Sequence, residues 1–256
     1  MIIISYPDGQ LGNQLFTFAH FIAHSKEHGY VLCNPAFSTY AKFFSYFENS
    51  LVNTVASSDG LIKAGANLSK RLNSAGILFL KTILRFFFCL VSRGLALIKY
   101  DGNSQLGLIE RKHLNEDGSI KDQKLLRKKW VLTYDCHFRD HYSVKKHAAS
   151  VREIFAINQQ LMQAVNSKIA IAREGCEVLI GLHIRRGDYA YWNSGRYYYE
   201  IEQYVEFMDQ ITELFPHQRV SFLVCSNENL EKFKDKTSKH NCILGIGNTI
   251  EDLYCR

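Results

Sequence analysis

An α/β fold in two parallel-sheet halves is what this sequence predicts, on three observations. Near the start an apolar run meets a glycine-containing turn and then a helical period, which is the pattern of a β-α-β unit. In the second half, apolar runs alternate with helical stretches, as a parallel sheet with crossover helices requires. A chain of 256 residues with 46% hydrophobic content can also bury one large core or two small ones.

Taken in order, Met1 to Ser5 reads as a first strand, Asn13 to His28 as a helix and Tyr30 to Cys33 as a second strand, closed by Asn34-Pro35. Leu15, Phe16, Ala19, Ile22 and Ala23 are the helix positions expected to pack the core. His20, His24 and His28 share its other face at the i, i+4 spacing of zinc ligands. A solvated histidine face is the expected reading of that triplet.

The stretch from Gly76 to Ile98 is apolar but interrupted by Lys81, Arg85 and Arg93. A membrane span would need about 20 apolar residues with few or no charges. At the helical angle, Lys81, Arg85, Ser92 and Lys99 form one narrow stripe. Two readings stay open: an interfacial amphipathic helix over 76–98, or a packed helix with its basic edge in water. Lys63, Lys70 and Arg71 upstream favour contact with an anionic membrane surface.

Residues 101–129 read as a polar loop or hairpin, Trp130 to Tyr134 as a strand, and Val144 to about Gly175 as helices, which places a domain boundary between 1–150 and 151–256. Beyond it come strand Val178 to Ile184, helix Tyr198 to Phe215 stopped by Pro216, and strand Val220 to Cys225. Helix Asn229 to Lys236, strand Cys242 to Ile246 and a helix start at Thr249 follow.

The net charge of +6 favours anionic partners without choosing among nucleotide sugar, lipid and nucleic acid. The basic residues are dispersed and form no recognisable nucleic-acid module, so no nucleic-acid partner is expected. Seven scattered cysteines with no C-x-x-C pair read as reduced, mostly buried thiols. No charged-then-apolar leader precedes the first strand, so the expected location is the cytoplasm.

Two motifs carry the chemistry. His183-Ile184-Arg185-Arg186-Gly187-Asp188-Tyr189-Ala190 follows an apolar strand read as buried, and two guanidinium groups at a strand end need anionic partners or water. Arginine suits bidentate contact with phosphate, and ligands of open α/β sheets bind at the carboxyl ends of strands. A diphosphate is the expected ligand. Gly9-Gln10-Leu11-Gly12-Asn13-Gln14-Leu15-Phe16 joins a strand to a helix, where glycines let backbone amides approach a phosphate. An internal ion pair of Asp188 with the arginines is the structural alternative for the first motif, and a plain tight turn for the second.

Together, and in this order, the two motifs resemble those of the α-1,2-fucosyltransferase family of bacteria and animals, glycosyltransferase family 11. Phe138-Arg139-Asp140-x-Tyr142, Arg152-x-x-Phe155 and Trp192-x-x-Gly195-Arg196-Tyr197-Tyr198-Tyr199 extend the resemblance to roughly half the chain. It implies a GT-B type α/β fold, two Rossmann-like domains facing across a cleft, with the first on the acceptor side and the second binding the donor nucleotide. It also implies inverting transfer of fucose from GDP-β-L-fucose to a galactoside hydroxyl of a glycan acceptor, lipid-linked in bacterial surface polysaccharide synthesis. A relative using another GDP-sugar and a non-catalytic nucleotide- or glycan-binding relative are the alternatives. The family's further Asn-Ser-Ser/Thr-Phe-Ser-Trp-Trp type segment is not found after Thr249, so an incomplete second domain is expected.

Carried onto this sequence, Arg185 and Asp188 are the expected catalytic residues. Gly12, Asn13, Gln14, His183, Arg185, Arg186, Tyr189, Ser226 and Asn227 are the expected donor-binding residues. Arg185 clamps the β-phosphate, with Arg186 or the amides beyond it assisting. Asp188 either holds the arginines or contacts the nucleotide, and His183 donates to phosphate or ribose. No Asp-x-Asp occurs, so arginine is expected to replace a metal in balancing the leaving diphosphate. Asp8, Asp188, Glu228 and the substrate itself remain open as the base for the acceptor hydroxyl. Tyr197 to Tyr199 either line the acceptor site or pack the next helix.

Overall fold

The computed structural model describes residues 1–48, 50–55, 74–100, 103, 105–229, 233, 236–247 and 249–255. The chain forms two units, Met1–Ile157 and Asn158–Arg256. Lys63, Lys70 and Arg71, and most of the helix expected over 229–236, lie outside the described residues.

In the first unit, β1 (Ile2–Ile4), β2 (Leu32–Cys33), β3 (Thr54–Val55), β4 (Leu106–Ile109) and β5 (Trp130–Thr133) form one sheet in the order β3-β2-β1-β5-β4. All pairs are parallel except β2 with β3. The stretch 101–129 was expected to be loop or hairpin, and β4 corrects that. Its apolar residues Leu108 and Ile109 are fully buried as β4 extends the sheet beside β5.

Helix α1 (Leu11–His28) buries Phe18, Phe21 and Ile22. Phe18 stacks on Phe47 and Phe21 on Phe138, with ring centroids 5.5 and 4.5 Å apart. Gly29, at a left-handed φ of 69°, ends the helix. Short α2 (Ser38–Ala41) adds Phe37 and Phe44 at its two ends to the same aromatic core. On the opposite face of the sheet Ile3, Cys33, Leu108 and Leu132 meet Phe88, Val91 and Leu95 of α3 (Ser74–Leu97).

Two expectations for these helices are reversed. Phe16 is 56% exposed, whereas His20 and His24 are buried. The reason is Asp140, which caps α4 (His141–Lys146) by accepting from Ser143 N. Its amide donates to His20 Nδ1 and its carboxylate meets His24 Nδ1, each at 2.8 Å. The histidines therefore fasten α4 to α1. In α3 the part of the basic stripe within the helix turns inward, while Lys99 beyond its end is exposed: Lys81 is 6% exposed, with Nζ 3.4 Å from the Phe47 carbonyl. Arg85 donates to Thr39 at 2.8 Å. The reading of a basic edge in water is thereby overturned.

Burial holds both His20 and His24 below the usual histidine range, outweighing the Asp140 contacts that act the other way. For Asp140 burial pushes the carboxyl up, but the bonds from Ser143 and His24 prevail and its pKa is lowered. A depressed folded pKa gives stability that is full above the unfolded value, about 6.5 for histidine, and lost as pH falls through the folded one. Asp140 acts with the same sign at lower pH. Melting temperature is therefore expected to drop by about 3 °C or more between about pH 7.5 and pH 5. His24→Gln should flatten that slope, and an unchanged slope in the variant would contradict the assignment.

Helix α5 (Ala148–Ile154) completes the first unit, since Phe155 after it packs on Phe18 and Phe44. The second unit opens at Asn158, whose side chain caps α6 (Gln159–Arg173). Strands β6 (Val178–Ile184), β7 (Val220–Ser226) and β8 (Asn241–Leu244) form a parallel sheet in the order β6-β7-β8. Tyr204 and Met208 of α7 (Ile201–Glu213) pack against Ile184, Phe222 and Val224. The strand expected to be buried, β6, is a half-buried edge because it has a single neighbour, and β7 is the buried centre. Last comes α8 (Thr249–Tyr254), whose buried Asp252 accepts from the amides of Ile246 and Gly247 after β8. The seven thiols are free.

Candidate functional site

Strands β6 and β7 pair in parallel register with Ile184 opposite Ser226, so the segments leaving their carboxyl ends run side by side. This register gathers Arg185, Arg186 and Asp188 with Ser226 and Asn227. Arg185 Nη2 donates to both carboxylate oxygens of Asp188, at 2.9 and 3.2 Å, and its guanidinium lies 4.7 Å from the centre of the Tyr189 ring. Its Nε is buried without a hydrogen-bond partner among the described residues. A shielded, positively charged donor left unsatisfied is costly unless an acceptor arrives.

Arg186 differs. Its side chain is only 12% exposed, and it bonds Glu200 at 3.0 Å and the Tyr198 hydroxyl. Glu228 Oε2 lies 3.5 Å from its Nε, close enough for charge attraction but without hydrogen-bond alignment. The amides beyond Arg185 are also engaged: Arg186 N donates to Asn227 Oδ1 and Gly187 N to Glu228 Oε1, both at 3.1 Å. A Cβ at Gly187 would sit 2.5 Å from Asn227 Nδ2, so glycine is needed for this close approach. Ser226 Oγ accepts from Glu228 N, and Asn227 Nδ2 reaches Asp188 at 3.4 Å. His183 stands one residue before the end of β6, opposite Cys225.

Aromatic rings continue outward from Arg185. Tyr189 stacks on Trp192 at 5.3 Å, and Trp192 meets Tyr197 at 5.5 Å. Between them Asn193 and Ser194 hold left-handed φ angles of 49° and 56°, a strained pair for residues with side chains. The three tyrosines thus divide their work: Tyr197 joins this stack, Tyr198 holds Arg186, and Tyr199 packs on Tyr204 and Phe207 of α7.

In the first unit the glycine motif forms the turn between β1 and α1. Gly9 has φ of 64°, and a Cβ there would lie 2.5 Å from Asn13 Nδ2. Gln14 Nε2 closes the turn on the Gly9 carbonyl at 2.9 Å. Gly12 is different, being helical with nothing within 4 Å of its missing Cβ. Alanine at Gly9 should destabilise by about 1–2 kcal/mol from left-handed strain alone. At Gly12 it should stabilise by roughly 0.5 kcal/mol or more. Urea midpoints of the two variants check this, and equal shifts would refute the distinction.

Asp8 precedes that turn and His137 follows β5, the neighbouring strand. His137 Nδ1 lies 2.6 Å from Asp8 Oδ2, but without hydrogen-bond alignment, so this buried oxygen has no bonded donor. Burial raises the Asp8 pKa, with His137 opposing. The carboxylate borders a depression shared with Tyr6, Gln14, Thr17, Asn34 and Cys136. Burial pushes the Cys136 thiol up to about 12, which makes it chemically inert there.

Spacing alone could reveal the Arg185 pairing with Asp188, three residues on. It could not reveal Glu200 and Tyr198 as the partners of Arg186, or His137 beside Asp8. The only available signal for Tyr198 was its place in the Gly195 to Tyr199 segment. Among the described residues two sets, Asp8 with Asp135 and His137, and His24 with His28 and Asp140, each bring three ligand-capable atoms within 4.8 Å of one another. In the second set the short contact of His24 with Asp140 already has a structural purpose.

No protein-family model and no curated protein matches the sequence. Among solved structures, a point mutant of Arabidopsis thaliana FUT1 in complex with GDP superposes with a TM-score of 0.52 at 12% identity, over 99% of this chain and 62% of that one. POFUT1 in complex with GDP matches at a TM-score of 0.46 and 10% identity, over 99% of this chain and 87% of that one, too loosely to argue from. The fold is α/β with two sheets, similar to that of the FUT1 structure. The chain spans about three fifths of the FUT1 structure it matches.

Proposed function

We propose that the chain is an inverting fucosyltransferase that moves fucose from GDP-β-L-fucose to a galactoside hydroxyl of a glycan, the α-1,2 type of bacterial surface polysaccharide synthesis. The observation that carries this reading is Arg185, a guanidinium oriented by Asp188 and Tyr189 whose Nε has no acceptor. The GDP bound in the FUT1 structure of like fold supports a nucleoside diphosphate as its ligand.

In the proposed step the acceptor oxygen bonds to fucose C1 as the bond from C1 to the β-phosphate oxygen breaks. Negative charge moves to GDP, where Arg185 stabilises it, and the acceptor proton passes to a carboxylate. Asp188 and Glu228 are engaged by Arg185 and by Gly187, respectively, so of the three carboxylates Asp8, in the first unit, is the candidate base to test. Arg186 is held by Glu200 and the Tyr198 hydroxyl rather than reaching for phosphate. Asn227 and Ser226 hold the loop. His183 and Tyr189 complete the proposed donor site of the second unit; in the first unit Gly12 and Asn13 open α1, whose first turn has no side-chain cap and no acidic residue and so offers its amides to an anion. Gln14 shapes the turn.

The test is calorimetric titration of the purified chain with GDP and GMP, with and without a chelator. GDP should bind more tightly than GMP and should do so in the chelator, and GDP-fucose should then be turned over with a galactoside. Equal binding of the two nucleotides would remove Arg185 from the β-phosphate. Loss of binding in the chelator would point to a cation at Asp8, Asp135 and His137.

A further inference from the structure

Helix α3 is apolar on two sides. Its inner side packs Phe88, Val91 and Leu95 on the sheet and, unusually, also takes in Lys81 and Ser92. Outward lie Phe79, Ile83, Phe86, Leu90 and Leu97, a stripe at steps of four, three, four and seven in which all but Ile83 are at least 60% exposed, with Leu78 and Phe87 exposed on its flanks. A surface helix ordinarily does the reverse, with its charges turned to water. From Phe79 to Leu97 the stripe runs roughly 27 Å, far more than a scattered surface leucine.

The charge of the segment says what covers it. From Gly60 to Tyr100 there are seven lysines and arginines and no acidic residue. Arg93 lies on the exposed side of α3 and Lys99 just past its end, both exposed. A second copy placed on the stripe would set Arg93 against a like-charged face. An anionic lipid surface matches both properties, taking the apolar stripe among acyl chains while basic side chains reach the head groups. By length and composition Ala75–Leu97 could cross a bilayer. The face bearing Phe88, Val91 and Leu95 is held by the sheet, however, so the helix would lie in the plane of the interface.

We propose that the outer face of α3 docks the protein on an anionic bilayer, with Phe79, Phe86, Leu90 and Leu97 inserted and Arg93 and Lys99 at the lipid phosphates. This goes beyond the transferase reading and does not depend on it. The full chain is floated with vesicles of phosphatidylcholine alone and with vesicles containing about one third phosphatidylglycerol. The wild type should partition to the anionic vesicles roughly tenfold more than to the neutral ones, and less at high salt. The triple variant Phe79→Ser, Phe86→Ser, Leu90→Ser should lose that partitioning while keeping its melting temperature, because the changed side chains leave the core untouched. Arg93→Glu, a single exposed change, should weaken it several-fold and serves if the triple variant fails to fold. No flotation of the wild type, or flotation unchanged in the variants, overturns the proposal. So does a wild-type dimer by sedimentation that the triple variant makes monomeric without any vesicle binding, since that would make a second copy the occupant.

Discussion

Replacing Arg185 by alanine is expected to erase the preference for GDP over GMP and to lower fucosyl transfer about 100- to 1000-fold, the loss typical of one preorganised donor at developing charge. The fold should survive, because Arg185 and Asp188 form a substantially exposed pair, 34% and 50% by side chain. Lysine should not restore the activity, since it lacks the planar fork and the stacking on Tyr189. Arg186→Ala is the internal comparison. Its side chain bonds Glu200 and Tyr198 and faces Glu228, so its loss should show first as a lower melting temperature. If the two variants bind GDP equally well, the division of labour between the arginines is wrong.

The second large effect is expected at Asp8. As a base it should contribute about 100- to 10,000-fold to turnover, so Asp8→Asn should leave GDP affinity in place and remove most of kcat. Stability should move the other way. A carboxyl whose folded pKa is raised contributes stability that is present below its unfolded value, about 3.9, and is lost as pH rises through the folded one. At neutral pH the charged form is a burden to the fold, and asparagine relieves it. A variant that is slower yet melts higher is therefore the signature. The wild-type rate should also rise with pH through the elevated Asp8 pKa, a limb the variant should lack. His137→Gln should move that limb to higher pH, because His137 favours the charged carboxylate. A variant with full activity would return the proton to the substrate itself.

Much of the fold was legible because its periodicities are undiluted. The run Ile2-Ile3-Ile4, the helix ending at Gly29 and the alternation from Val178 onward could be read directly. Strand β4 was not, since Leu106–Ile109 is four residues long within charged surroundings and gains its burial from β5, more than twenty residues on. His20 and His24 were misjudged for a related reason. Their partner Asp140 lies about 120 residues away, and no local pattern announces it. For α3 the period set Lys81, Arg85 and Ser92 on one side but left Arg93 among the apolar remainder, and a period carries no sign. Only the packing of Phe88, Val91 and Leu95 on the sheet shows which side turns inward.

The candidate site was legible to the same extent. Arg185 and Asp188 declare themselves through adjacency to a strand end and a spacing of three. The residues that hold them, Glu200, Tyr198, Asn227 and Glu228, come from other elements and become neighbours only when β6 and β7 pair in register.

That register also bears on how a ligand would be met. The amides of Arg186 and Gly187 are satisfied by Asn227 and Glu228, so the segment after β6 is tethered before any anion arrives. Little conformational freedom is left there for a ligand to remove, and association need not wait for the backbone to rearrange. What moves is one guanidinium adjusting to bring its unpartnered Nε to a phosphate, a rotamer change of nanoseconds rather than a loop closure of microseconds. Nucleotide capture at this end of the sheet should then be limited by diffusion and electrostatic attraction, with an on-rate that falls as salt is added.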